Sequence, residues 1–234
     1  MLILALDTAT KASGVALADE NTLLAEIVVE GNDFHSETLI NHIDMALKIA
    51  GAEKKDLSGI AVDVGPGSFT GLRIGIAAAK AMAYALNLPL AGVTSLAAMA
   101  AGLYGFGGRI FSLIDAQKAS AYVAGYVFDG ENLRAEYPVK IMKVQDFLEF
   151  AAELEGEIVL TGDAAKKRLT AAELPKNIRL APPRLLMPRA SEVARLGLKK
   201  LAAGECADLM TLEPLYLRRS EAEILWDKRH ADNS

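Results

Sequence analysis

Apolar and polar positions along the chain follow two periods in turn. Residues 2–6 are apolar throughout and end in Asp7-Thr8-Ala9-Thr10, the pattern of a buried strand running into a turn. Residues 14–18 and 23–30 read as two further strands, separated by the polar turn Asp19-Glu20-Asn21. The period then lengthens. Ser36 opens a helix that Gly51 stops, with Leu39, Ile43, Ala46, Leu47 and Ala50 on one face and Glu37, Asn41, Asp44 and Lys48 on a polar stripe. Its flank Thr38, His42, Met45 and Ile49 is less polar than a plain solvent face, which predicts a cover of some kind. A strand at 59–64 passes through Gly65-Pro66-Gly67-Ser68-Phe69-Thr70-Gly71 into a helix at 72–86, capped by Thr70, whose charges are Arg73 and Lys80 alone. A helix apolar all round is either buried by its own chain or completed by a partner, and its glycines and alanines allow a neighbouring helix close approach. A short strand at 90–93 and an alanine-rich helix capped by Thr94 or Ser95 follow.

Gly102, Gly105, Gly107 and Gly108 then mark a boundary, after which the pattern restarts. Residues 109–114 form a strand ending in Asp115, and Lys118-Ala119-Ser120 leads into a strand at 122–128, just as Asp7 is followed by Lys11-Ala12-Ser13 and a strand. A third strand at 133–141, a helix from Val144, a strand at 158–161 and the turn Gly162-Asp163 extend the echo, so an internally duplicated α/β fold is expected. The reading divides the chain into a first lobe at 1–104, a second at 105–218 and a charged tail at 219–234. Ser191 caps an amphipathic helix with Val193, Ala194, Gly197, Leu198 and Leu201 inward; it is expected over 190–203, packing back on the first lobe. An extended segment at 213–218 is expected to dock on the body.

With 234 residues and 52% hydrophobic positions, the chain can bury a large core. The start of the chain shows no basic leader and no long uncharged apolar stretch appears, so the expectation is a cytoplasmic protein that does not enter a membrane. Cys206 is the single cysteine, which excludes an intramolecular disulfide. A net charge of −5, with the 25 Lys and Arg scattered, makes a poor nucleic-acid binder on its own.

Two Asp-ended strands in a duplicated α/β core are the means by which actin, Hsp70 and the sugar kinases grip nucleotide phosphates. Phosphate must approach the turn after each strand, which calls for glycine there. Here those turns are Thr8-Ala9-Thr10-Lys11 and Ala116-Gln117-Lys118, so Asp7 and Asp115 read as remnants of phosphate-hairpin acids. The run from Gly65 has two readings: a structural strand-to-helix turn, or an anion or nucleotide site on Gly65, Gly67, Ser68, Thr70 and Gly71. It is not a P-loop, since Leu72 follows the last glycine where Lys is required. His35 and His42 lie seven apart rather than the four that places two ligands on one helix face, so no metal is expected, and no cofactor.

Asp7-Thr8-Ala9-Thr10, His35-Ser36-Glu37-Thr38-Leu39, the run Gly65 to Gly75, Asp115-Ala116 and Pro214-Leu215-Tyr216-Leu217-Arg218 together resemble the TsaB (YeaZ) family, subunits of the bacterial machinery that makes N6-threonylcarbamoyladenosine in tRNA. The resemblance runs to about Arg218; the family usually has Arg where this chain has Gln117. It implies an actin-like (ribonuclease H-like) fold of two lobes, each with a mixed sheet, and no catalysis of its own. Where the related TsaD carries the two metal-holding histidines of Asn-His-x-x-x-His, this chain has Ser95 and Met99, and neither replaces imidazole.

The resemblance further implies a heterodimer with a TsaD homologue through the two helices flanking the glycine turn, on Ser36, Leu39, His42, Ile43, Met45, Ile49, Leu72, Arg73, Ile76, Ala79, Met82 and Ala83. TsaE, a P-loop ATPase, joins them, and tRNA is met only through the complex. The rival expectations are a small actin-like ATPase or kinase using Asp7 and Asp115, a metallopeptidase-like enzyme, and a homodimer formed by the same helices.

Overall fold

The computed structural model describes residues 1–31, 36–217 and Trp226. The first repeat runs β1 (Ile3–Asp7), β2 (Ala12–Ala18), β3 (Leu23–Glu30), α1 (Ser36–Ala50), β4 (Gly59–Gly65), α2 (Phe69–Leu86), β5 (Leu90–Thr94) and α3 (Ser95–Ala101). The second repeats that order: β6 (Arg109–Asp115), β7 (Ser120–Asp129), β8 (Asn132–Lys143), α4 (Val144–Ala152), β9 (Ile158–Thr161), α5 (Asp163–Leu169), β10 (Ile178–Leu180) and α6 (Ala190–Ala202). The sheets are β3-β2-β1-β4-β5 and, read from its other edge, β8-β7-β6-β9-β10. In each, the Asp-ended strand pairs antiparallel with the next strand and parallel with the fourth. The duplication is therefore one of topology, with two five-stranded mixed sheets flanked by helices.

Three local differences from the sequence reading have simple causes. Helix α2 begins at Phe69 and its cap is Ser68, not Thr70, because Ser68 takes the extended conformation and its Oγ accepts from the Gly71 amide at 3.2 Å. Helix α5 and strand β10 are too short to show a period, and the Gly162 turn leads straight into α5. Helix α6 starts at Ala190, one residue before the expected Ser191 cap.

The period of two along β1 decides the layers. Leu4 and Leu6 point to a core shared with Leu39 and Ile43 of α1 and Ile76 and Ala79 of α2. Ile3 and Ala5 point the other way, where Val193, Ala194 and Leu198 of α6 cover the same sheet. Small residues set that contact: a methyl group on Gly197 would overlap Ala61, so α6 rides close to β4. Helix α3 goes in the opposite direction. Its Leu96, Met99 and Ala100 share a core with Ile110, Ile114 and Ala124 of the second sheet, and Ser112 Oγ donates to the Leu96 carbonyl at 2.7 Å. Each repeat thus lends its last helix to the junction between the lobes.

The chain then returns to the first lobe as a strap. The Ala207 amide donates to the Leu90 carbonyl and the Leu215 amide to the Val64 carbonyl, each at 2.7 Å, while Leu209 and Leu212 pack on the α1–α2 core. Among the described residues no helix is long and apolar enough to cross a membrane. The tail expected at 219–234 lies outside the described residues apart from Trp226.

Candidate functional site

The glycine turn is held by the chain's own first hairpin. Ser68 N–H donates to the Ala9 carbonyl at 2.6 Å, and Thr8 Oγ1 donates to the Gly71 carbonyl at 2.7 Å. A methyl group on Gly67 would overlap the Ala9 carbonyl oxygen, one on Gly71 the Thr8 carbonyl oxygen, and one on Gly75 the Thr8 hydroxyl. The glycines allow backbone to meet backbone, which is what glycine is for at such a crossing. Of the residues expected at an anion site, Gly65, Ser68 and Gly71 have their amides engaged within the chain. The Gly65 amide is taken by Asp63 Oδ1 at 2.7 Å, the Ser68 amide by Ala9 and the Gly71 amide by the Ser68 cap, so these donors are not free for an anion. Thr70 instead sits on the wall of a groove.

That groove lies between α1 and α2. It encloses about 560 Å³ and is lined by Leu39, Ile40, Phe69, Thr70, Arg73, Ile74, Ala77 and Ala78. Ile40, on the groove, is 45% exposed, and elsewhere on α1 Met45 and Ile49 are 52% and 64% exposed. On α2, Phe69, Arg73, Ala77, Ala81 and Ala85 recur every four residues along an exposed row. A row of alanines leaves room for a neighbouring helix to lie close.

The residues expected at a partner interface divide sharply. Met45, Ile49 and Arg73 are exposed, and His42 and Met82 are half-buried. Leu39, Ile43, Leu72, Ile76, Ala79 and Ala83 are at most 4% exposed, because they form the side of each helix that covers the sheet. They are core residues, which corrects their assignment to a surface; Leu39 alone also borders the groove. Ser36 opens α1, while His35 lies outside the described residues.

Sequence reasoning missed Ile40, Phe69 and Tyr216. Phe69 stacks on Tyr216 of the strap with ring centroids 4.9 Å apart, Arg73 lies over the Phe69 ring at 4.0 Å, and Arg73 Nε donates to the Tyr216 hydroxyl at 2.9 Å. The strap thereby anchors one end of the groove. Lys80 of α2 holds it further along, donating to the Leu212 carbonyl at 3.2 Å.

The Asp-ended strands have diverged. Asp115 is clamped by Lys167 at 2.8 Å and Arg168 at 2.9 Å, and these cations hold its carboxyl below the usual range against the opposing effect of burial. Asp7 is 2% exposed and faces a second buried acid that the sequence reading passed over, Asp63 in β4. Asp63 Oδ1 accepts from Ser95 Oγ at 2.6 Å and from the Gly65 amide at 2.7 Å. Burial pushes Asp7 up to about 6, and burial together with the charge of Asp7 pushes Asp63 well above its ordinary value. Two coupled carboxyls with raised pKa can serve as a proton-sharing pair, yet 2% and 0% exposure closes this one to any substrate. Ser95 spends its hydroxyl on Asp63, and Met99 is buried in the core between the lobes.

Comparison with known proteins agrees with this geometry. A family profile for tRNA N6-adenosine threonylcarbamoyltransferase, TsaD, matches residues 23–226. The chain is 34% identical over 235 residues to the tRNA threonylcarbamoyladenosine biosynthesis protein TsaB of Bacillus subtilis, covering 97% of this chain and 98% of that one. It is 31% identical to the TsaB of Escherichia coli, again over 97% and 98%. YeaZ from Pseudomonas aeruginosa superposes with a TM-score of 0.78 at 26% identity, covering 92% of this chain and 99% of that one. Full-length likeness in sequence, together with the same fold, places the chain by itself: it belongs to the TsaB (YeaZ) family of tRNA threonylcarbamoyladenosine biosynthesis proteins.

Proposed function

We propose that this chain is a non-catalytic subunit that pairs with a TsaD-type transferase through the exposed faces of α1 and α2 and activates it. The reaction served is transfer of the threonylcarbamoyl group to the adenosine 3′ of the anticodon in tRNAs reading ANN codons. The observation that carries the reading is the exposed apolar surface of the two helices: Ile40, Phe69 and Ala77 on the open groove between them, and Met45 and Ile49 elsewhere on α1. Apolar surface of that kind, with Arg73 at the groove, is suited to a helical partner.

The state of the acids supports an accessory role over an ATPase, kinase or peptidase. Asp7 is sealed against Asp63, Asp115 is neutralised by Lys167 and Arg168, and Ser95 and Met99 offer no imidazole. A net charge of −5 supports meeting tRNA only within the complex, where the transferase and the TsaE ATPase join it. Such a subunit acts by binding one conformation of the transferase more tightly than the other, which raises the population of the competent state. Size-exclusion chromatography of the chain mixed with its TsaD partner tests the pairing. A 1:1 complex that Met45→Glu abolishes is expected, and a complex indifferent to Met45→Glu and Ile49→Glu contradicts the assignment of the face.

A further inference from the structure

We infer that Asp7 and Asp63 hold one proton between them and that this proton is a pH-sensitive latch at the crossing of β1, β4 and α3. The geometry argues for it: Asp7 and Asp63 directly follow the paired residues Leu6 and Val62 of the adjacent parallel strands β1 and β4, and both are buried. Asp7 Oδ1 accepts from the Ala9 amide at 3.0 Å, and Asp63 Oδ1 accepts from Ser95 Oγ and the Gly65 amide. The remaining oxygen of each, Asp7 Oδ2 and Asp63 Oδ2, is buried without a donor. Two acceptors facing each other in a dry site repel unless a proton lies between them, and one proton satisfies both. Among the described residues no separate cation answers the pair from the packed elements. The outside charge acting on Asp7 is Glu26 of β3, which opposes ionisation further and is itself held by Arg189 at the start of α6. On α6, Glu192 pairs with Arg195, Lys199 reaches the Glu131 carbonyl and Lys200 the Gly92 carbonyl. Arg73 and Lys80 of α2 serve the strap, and Lys11 after the β1 turn is exposed.

The position gives the proton leverage. The turn that Asp7 closes holds the first turn of α2 through Thr8 and Ala9, and Asp63 reaches through Ser95 to α3, which packs on the second lobe. Loss of the proton sets two like charges against each other at that junction. Because the folded pKa values lie above the unfolded ones, the fold takes up protons, and its stability falls as pH rises from about 4 through about 6 and beyond. The latch is a property of the isolated chain and does not rest on the partner reading.

The test is urea unfolding of the full chain from about pH 5 to about pH 8, unsubstituted and as Asp63→Asn, with hydrogen exchange of the first turn of α2 followed in parallel. Where the fold holds one extra proton, its folded-to-unfolded ratio should fall about tenfold per pH unit. Asp63→Asn, whose amide donates permanently to Asp7 Oδ2, should flatten that slope, become the more stable chain at the alkaline end and remove the extra exchange at the start of α2. Equal slopes in the two chains overturn the latch. If Asp63→Asn does not fold, Asp7→Asn carries the same comparison, and carbon-13 carboxyl shifts of the unsubstituted chain decide directly. A carboxyl still protonated near neutrality supports the latch, whereas both titrating near pH 4 overturns it.

Discussion

Thr8 reaches 63 residues along the chain to donate a 2.7 Å hydrogen bond to the carbonyl of Gly71. The contact fastens the turn after the first strand to the first turn of α2, and the neighbouring glycines exist to permit it. Gly71→Ala is expected to cost roughly 3 kcal/mol, because the new methyl meets the Thr8 backbone, which cannot move aside. Gly75→Ala meets only the Thr8 side chain, so Thr8→Ala should recover much of its loss and none of the loss in Gly71→Ala. Chemical denaturation of the three single and two double variants checks this; equal recovery in both would refute the assignment of the contacts.

Helix α2 shows where the sequence was legible and where it was not. An apolar helix with few charges is either buried by its own chain or completed by a partner, and the exposed row of Phe69, Arg73, Ala77, Ala81 and Ala85 is what remains once Leu72, Ile76, Ala79 and Ala83 cover the sheet. Periodicity alone does not say which apolar side is which, and so core residues were assigned to a surface. Topology was easier. The strand, Asp and Lys-Ala-Ser repeated in both halves, and the two sheets share one strand order. Asp63 was illegible because a single acid in an apolar strand has no periodic signature, and its partner is 56 positions away by number, 63 − 7. Tyr216 was read as part of a motif, yet its ring partner Phe69 appears only when the strap folds back.

The same division gives a mutational test of core against surface. Ile76→Glu places an unpaired carboxylate at a site 4% exposed and should cost roughly 4 kcal/mol of stability. Ile49→Glu, at a site 64% exposed, should change stability by no more than about 0.5 kcal/mol. Thermal unfolding distinguishes them. Similar losses in the two variants would mean that α1 buries the face described as open.

Asp115 should give the opposite pH response to the buried pair. Its folded pKa is depressed by Lys167 and Arg168, so its contribution is present above the ordinary carboxylate value and is lost as pH falls through the depressed one. Arg168→Met should raise the Asp115 pKa toward about 4 and weaken the acid-side loss of stability. Carbon-13 titration of Asp115 reads the shift; an unchanged pKa would show that the ion pair does not form in solution.

The turn between β6 and β7 stores strain. Gln117, Lys118 and Ala119 all have positive φ, and Ala119 at φ 61 has no polar side chain to favour it. Ala119→Gly should stabilise the chain by about 1 kcal/mol, since the Ser120 amide to the Gln117 carbonyl at 2.9 Å and the Val144 amide to the Ala119 carbonyl at 3.0 Å are kept. A decrease in denaturation midpoint would contradict that account.

The central claim, that this chain activates a transferase by docking rather than by chemistry, is tested most directly by reconstituting tRNA modification. Threonylcarbamoyladenosine is measured from donor, tRNA, the TsaD partner and TsaE in three arms: without this chain, with it, and with a folded Met45→Glu, Ile49→Glu double variant. Product formed with the native chain and lost with the double variant, whose affinity should fall roughly a hundredfold or more, is the result expected. Equal modification with and without the chain, or full activity from the double variant, would contradict the claim.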